Sequence, residues 1–176
     1  MVSGRFFGDI SKCFAVTQLT VSLFVTNIHV RITIGQTRVV PRLLEGEFLR
    51  YRQFLPVEWQ TRVTVDRAEL GSAIDRASLI AREGKTNLVC FKIDGEMLEV
   101  TSNSETGDME AKMQVSTEGK DLTIAFNVRY ITDVLKALSD EQIVMRFNSN
   151  VSPCVICPVE GESYLYLVLP VRVFNA

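Results

Sequence analysis

The chain has 176 residues, 47% hydrophobic and 23% charged, with a net charge of −2. That is enough apolar material for a buried core and too little net charge for disorder. A pI near 5.5 argues against a simple electrostatic nucleic-acid binder, and a single histidine, His29, excludes any site built from two.

In chain order, residues 1–18 match no recognisable element. Arg5, Asp9 and Lys12 interrupt them, so no signal peptide is expected. Ile10, Phe14 and Val16 give this stretch some apolar content. Three strand patterns follow, Leu19–Thr26, His29–Ile34 and Arg38–Leu43, without a strand and helix before them. Glu47–Gln60, with Pro56 inside it, reads as a connector.

From residue 61 the pattern becomes regular. Thr61–Val65 is a strand. Asp66–Arg82 is a helix with Leu70, Ala73, Ile74, Ala77, Ile80 and Ala81 as its one-sided stripe, Asp66 as its cap and Glu69 as the capping-box partner. Asn87–Ile93 and Glu96–Thr101 flank the hairpin signal Asp94-Gly95. Asp108–Val115 is a further strand, Glu118-Gly119 a turn and Asp121–Phe126 the next strand. The second helix spans about Val128–Leu138, capped by Asn127, with Ile131, Val134, Leu135 and Leu138 on one face. Gln142–Phe147, Pro153–Val159 and Tyr164–Val171 complete the strands. No apolar run reaches 18 residues; the best, Tyr164–Val171, is a buried strand rather than a membrane span.

Strand, helix, three strands therefore occurs twice, over about 61–118 and 119–173. The duplication predicts a pseudo-symmetric α+β domain with sheets outside and both helices side by side on one inner face.

Few motifs carry chemistry. Cys154-Val155-Ile156-Cys157 has CxxC spacing, but in a strand residues three apart face opposite sides, which argues against a redox pair or half a zinc site. Cys13 and Cys90 form no second pair. Four cysteines without a secretory signal read as reduced thiols in a cytosol, so the sequon at Asn150 carries little weight. No GxSxG, P-loop or HExxH is present.

Several segments together resemble a known family. Leu43-Leu44-Glu45-Gly46-Glu47-Phe48-Leu49-Arg50-Tyr51-Arg52-Gln53-Phe54-Leu55-Pro56 looks like the linker before the last domain of bacterial sliding clamps, the beta subunits of DNA polymerase III. Arg76-Ala77-Ser78-Leu79-Ile80, Phe126-Asn127-Val128-Arg129-Tyr130 with Asp133-Val134-Leu135, and the ending Tyr166-Leu167-Val168-Leu169-Pro170-Val171-Arg172-Val173 continue the match. It covers about residues 20–173.

The resemblance implies the processivity (DNA clamp) fold. Residues 19–46 would be three strands of a second domain, 47–60 the linker and 61–173 the third domain, leaving 1–18 unassigned and 174–176 as a tail. It implies a non-catalytic cytoplasmic protein of DNA replication, with no cofactor or metal and no membrane partner. Clamps of this family pair head to tail into a homodimeric ring around duplex DNA. They tether DNA polymerase III, clamp-loader subunits and repair factors, which dock short peptides between the second and third domains. Lacking a first domain, this chain is not expected to close that ring alone. It reads as a fragment or, alternatively, as a stand-alone truncated clamp-like protein acting as a decoy or regulator of clamp partners.

Carried over by position, the peptide groove would use Leu49, Gln53 and Phe54 from the linker, then Asn127, Tyr130, Val151, Leu167, Leu169, Pro170, Val171 and Arg172. Singly, each aliphatic residue among them reads as core; as a group they supply apolar walls and polar groups for a short peptide. Leu49 and Gln53 stand where many relatives carry proline and arginine. Reduced peptide affinity is expected, because the second domain's wall of the groove is not in this chain. The DNA-facing surface would use Arg67, Arg76, Arg82, Lys85, Arg129 and Lys136, with Arg129, Asp133 and Lys136 on one helix face. Taken one by one these are ordinary solvated side chains. A sliding sleeve needs only weak, sequence-independent phosphate contacts. The charge balance, +3 over residues 1–61 and −5 over residues 62–176, agrees with such a sleeve.

Overall fold

The fold follows from two local devices used twice, a strand ending in a capping side chain and an amphipathic helix started by it. The computed structural model describes residues 6, 8, 10, 20–46, 50, 55, 58–84, 87–105 and 107–172. The chain divides into an N-terminal unit, Met1–Arg50, and a C-terminal unit, Tyr51–Ala176.

In the N-terminal unit β1 (Val21–Val25), β2 (Val30–Ile34) and β3 (Thr37–Val39) form an antiparallel meander. Thr26 fixes the first turn. Its Oγ1 accepts from the His29 N–H at 2.9 Å and donates to the His29 carbonyl at 2.9 Å. Gly35, at φ 57, opens the two-residue link to β3 that an L side chain would strain. Val30, Ile32 and Ile34 are buried on one side of β2, with Phe6, Ile10 and Leu43 packed against them. The β1 side chains stay exposed throughout.

The C-terminal unit contains β4 (Thr61–Asp66), α1 (Arg67–Glu83), β5 (Leu88–Asp94), β6 (Met97–Ser104), β7 (Gly107–Gln114), β8 (Ser116–Gly119), β9 (Leu122–Asn127), α2 (Val128–Ala137), β10 (Gln142–Phe147), β11 (Cys154–Pro158) and β12 (Tyr166–Val168). Two antiparallel sheets result, of order β12-β11-β10-β4-β8 and β7-β6-β5-β9. The opening strand of each half lies in the sheet of the other half, β4 beside β10 and β9 beside β5. That exchange locks the halves together. α1 packs against α2, and one core joins both helices to both sheets, with Leu70, Ile74, Phe91, Phe126, Ile131, Ile143 and Phe147 almost wholly buried. Buried side chains of this size stabilise by roughly 1.5–3 kcal/mol each. The expected α+β layering, sheets outside and two helices inside, is present.

Two elements differ notably from the sequence expectation. Tyr164–Val171, read as a buried strand, gives only the three-residue β12, with Val168 buried but Leu165 and Leu169 exposed. Ser116–Gly119, read there as leading into a turn, is a strand pairing with β4 from Thr61↔Gly119 to Thr64↔Ser116. After β7 the chain bends at the buried Val115, whose N–H donates to the Glu96 carbonyl at 2.9 Å, and passes from one sheet into the other. On the outer face of the five-stranded sheet, Arg62 pairs with Glu118 at 2.5 Å, and the Arg146 guanidinium lies 5.7 Å from the Trp59 ring centroid.

Candidate peptide groove and helical face

α2 begins directly after β9. Asn127 ends the strand in extended conformation, and its Oδ1 accepts from the Arg129 N–H at 3.0 Å. This cap fixes where Tyr130, 58% exposed, stands on the first turn of α2. β12 is a neighbour of α2. Along β12 the inward Val168 is buried, whereas Leu169, just past its end, is 63% exposed. Val151, 54% exposed, lies in the turn before β11. Leu167 and Pro170 are half-buried and Arg172 is exposed. Leu169, Val151 and Tyr130 each offer apolar area to a ligand.

The chain leaving β12 returns to β9. The Val171 N–H donates to the Ala125 carbonyl at 2.8 Å, two residues before the Asn127 cap. Beside this contact lies an open trough of about 610 Å³ on the outer face of the four-stranded sheet. Leu88, Cys90, Thr101, Thr123, Ala125 and Asn150 contribute to its lining together with Val171. Of the groove candidates only Val171 lines it. Asn150 precedes the candidate Val151. Cys90, Thr101, Thr123 and Asn150 are not among the groove candidates of the sequence, because strands distant in sequence bring them together. Burial pushes the Cys90 thiol above its ordinary range, outweighing the hydrogen bond with Thr101. Leu49, Gln53 and Phe54 lie outside the described residues.

The basic candidates separate into two groups. Arg67 is tied down, its Nε donating to the Asp140 carbonyl at 2.7 Å, and Arg76 donates to the Ser72 hydroxyl of its own helix at 2.7 Å. Arg82, Arg129 and Lys136 are exposed and line a notch of about 370 Å³ between the helices, together with Asp133. Three cations and one carboxylate leave a net positive notch, suited to weak contact with phosphate oxygens. Lys85 lies outside the described residues. Among the described residues no three His, Cys, Asp or Glu side chains are grouped to share a metal ion, and no helix is long and apolar enough to cross a membrane.

Residues 52–172 match the family described as DNA polymerase III beta subunit, C-terminal domain. The chain is 28% identical over 176 residues to the beta sliding clamp of Staphylococcus aureus (strain Mu50 / ATCC 700699), covering 99% of this chain and 47% of that protein. Among solved structures, the DNA polymerase sliding clamp of Bacillus subtilis superposes with a TM-score of 0.87 at 31% identity, covering 98% of this chain and 46% of that one. The Pseudomonas aeruginosa sliding clamp bound to griselimycin gives a TM-score of 0.77 at 25% identity, covering 87% of this chain and 42% of that one. The chain thus spans about half the length of the curated relatives it matches.

Proposed function

The chain belongs to the DNA polymerase III beta subunit family, the bacterial sliding clamps, and from that premise we propose that it is the partner-docking part of a non-catalytic cytoplasmic processivity factor. Residues 19–46 serve as part of the second clamp domain, 47–60 as the linker and 61–173 as the third domain. DNA polymerase III and clamp-loader subunits dock clamp-binding peptides in the groove at Asn127, Tyr130, Val151 and Leu167–Arg172, with Leu49, Gln53 and Phe54 contributing from the linker. In a homodimeric ring the helical face, with Arg67, Arg76, Arg82, Lys85, Arg129 and Lys136, turns towards duplex DNA.

The observation that carries this reading is the exposure of Leu169, just past β12, beside the buried Val168, together with the exposed groove candidates Val151 and Tyr130; Leu79 on α1 is as open and lies outside the candidate set. A monomer gains nothing from a solvated leucine there; a peptide groove does. Griselimycin, which the Pseudomonas clamp binds, is the probe. Calorimetric titration of the chain and of Leu169→Asp compares an apolar wall with a charged one. The expected loss is about a hundredfold, since the ligand would have to bury the new carboxylate. Equal affinity in the two proteins puts the groove elsewhere.

A second reading, a stand-alone decoy for clamp partners, draws support from one contact. Phe6 and Ile10 pack on Val30, Ile32 and Ile34 and cover one side of the small sheet within the N-terminal unit itself.

A further inference from the structure

β1 is an edge strand with nothing to blunt it. Among the described strands its only neighbour is β2. Val21, Ser22, Leu23, Phe24 and Val25 include no charge, no proline and no glycine. Edge strands usually carry such a guard, because an open row of N–H and C=O groups invites another strand.

Register fixes what this edge presents. Val21, Leu23 and Val25 stand opposite Ile34, Ile32 and Val30, so they share the face of the sheet that carries the small core. Phe6 and Ile10 pack on the β2 residues, yet Val21, Leu23 and Val25 remain 52%, 62% and 66% exposed. Phe24, on the other face, is engaged within its own copy by the Arg31 guanidinium, 5.0 Å from its ring centroid. The Thr26 N–H donates to the His29 carbonyl at 2.8 Å, so Thr26 turns its backbone groups to β2. Counting back by twos, Phe24 and Ser22 do the same, while Val25, Leu23 and Val21 turn theirs to the open edge. The three residues whose side chains extend the apolar face are thus the three whose backbone groups await a neighbour.

We propose that β1 pairs antiparallel with β1 of a second copy of this chain, about a two-fold axis at Leu23, and joins two three-stranded sheets into one. Self-complementarity selects this occupant. Leu23 faces the partner's Leu23, Val21 the partner's Val25, and Val25 the partner's Val21. Each pair exchanges two N–H···O bonds, so every outward group of the strand is satisfied. Apolar side chains meet apolar ones on one face, and no charge meets a like charge. A slip by one residue sets outward backbone groups against inward ones. Growth stops at two copies, because the opposite edge, β3, is only three residues long and exposes Arg38. The contact is smaller than a standard interface, so a Kd on the order of ten micromolar is expected. It uses none of the proposed groove residues.

Sedimentation equilibrium of the whole chain, over concentrations about tenfold either side of that value, tests the proposal. The unaltered chain is expected to pass from monomer to dimer. Leu23→Lys sets two ammonium groups face to face across the axis and should weaken the dimer at least about tenfold. Leu23 is exposed, so circular dichroism of this variant should match the unaltered chain. A second variant reads the register. Opposed residues of a hydrogen-bonded pair have Cα atoms about 5.5 Å apart, within disulfide reach, so Leu23→Cys should cross-link to itself on air oxidation. Val25→Cys, facing a valine, should cross-link far less. A chain that stays monomeric throughout overturns the proposal, and so does growth beyond two copies. A dimer that survives Leu23→Lys overturns it too, without touching the groove, because the contact then lies elsewhere. Equal cross-linking of the two cysteine variants excludes the axis at Leu23 and overturns the pairing.

Discussion

Cys154 and Cys157, three residues apart on β11, face opposite sides of the five-stranded sheet. Cys154 belongs to the central core with Ile156, while Cys157 pairs across from Val144 on the outer side near Arg146 and Arg62. Neither sulfur can meet the other, so the CxxC spacing supplies no disulfide and no shared metal site. The two thiols are packing residues, and their titration is a stability matter.

Burial pushes the Cys154 thiol far above its ordinary value of 9.0, with Cys157 adding to the rise. The sign follows from linkage. Below about pH 9 both folded and unfolded chains keep this proton. Above it only the unfolded chain releases it, so stability is lost as pH rises. One such thiol contributes a slope of about 1.4 kcal/mol per pH unit. Urea unfolding between pH 9 and 11 should therefore show Cys154→Ala with a flatter decline than the unaltered chain. Identical slopes would mean that the thiol ionises in place.

How far the sequence reveals this fold depends on distance along the chain. The helices and their caps are local: Asp66 and Asn127 precede clear apolar stripes, and both helix starts lie where the spacing puts them. The hairpin is equally local, although its two loop residues are Gly95 and Glu96, one position later than the Asp94-Gly95 signal suggests, since Asp94 pairs with Met97. β8 is not. Ser116-Thr117-Glu118-Gly119 is polar and short, and only its pairing with β4, more than fifty residues upstream, makes it a strand. The trough is illegible for the same reason, since Cys90, Thr101, Thr123 and Asn150 share no local pattern. The groove residues were placed by family position, and nothing in their own spacing separates Leu169 from the buried Val168.

The caps can be weighed separately. Asp66 Oδ1 accepts from the Glu69 N–H at 2.8 Å, and its charge also favours the positive end of α1. Asp66→Ala should cost about 1 kcal/mol and Asp66→Asn less, since asparagine keeps the acceptor. At the other cap, Asn127→Asp adds a charge at the start of α2 and should stabilise by roughly 0.3–1 kcal/mol at low salt. Chemical denaturation of the three variants gives the order; a neutral Asp66→Ala would mean that water replaces the cap without loss.

Two glycines separate backbone strain from crowding. Both have positive φ, +54 at Gly95 and +111 at Gly119. A Cβ at Gly95 meets nothing within 4 Å, so Gly95→Ala should cost only the left-handed backbone, about 1–2 kcal/mol. At Gly119 a Cβ would lie 2.0 Å from the Gln60 carbonyl oxygen, against rigid backbone. Gly119→Ala must push β8 off the start of β4 and should be clearly the more damaging in a thermal melt. The opposite order would show that β8 is dispensable to the sheet.

The notch between the helices makes a prediction about salt. Arg82, Arg129 and Lys136 line it, whereas Arg67 and Arg76 are held by the Asp140 carbonyl and the Ser72 hydroxyl. If the inner face meets duplex DNA, the free cations of the notch should dominate the contact and the tethered pair should add little. The C-terminal unit carries an excess of acidic residues, so binding should be weak and detectable only at low ionic strength. Fluorescence anisotropy with a labelled duplex at several salt concentrations reads both affinity and slope. Each phosphate contact removed should lower the slope of log K against log salt by about one. Arg129→Ala combined with Lys136→Ala is thus expected to flatten the slope by nearly two, and Arg76→Ala to leave it almost unchanged, for every duplex sequence. A larger loss from Arg76→Ala than from the notch pair would move the DNA contact from the notch onto the exposed side of α1.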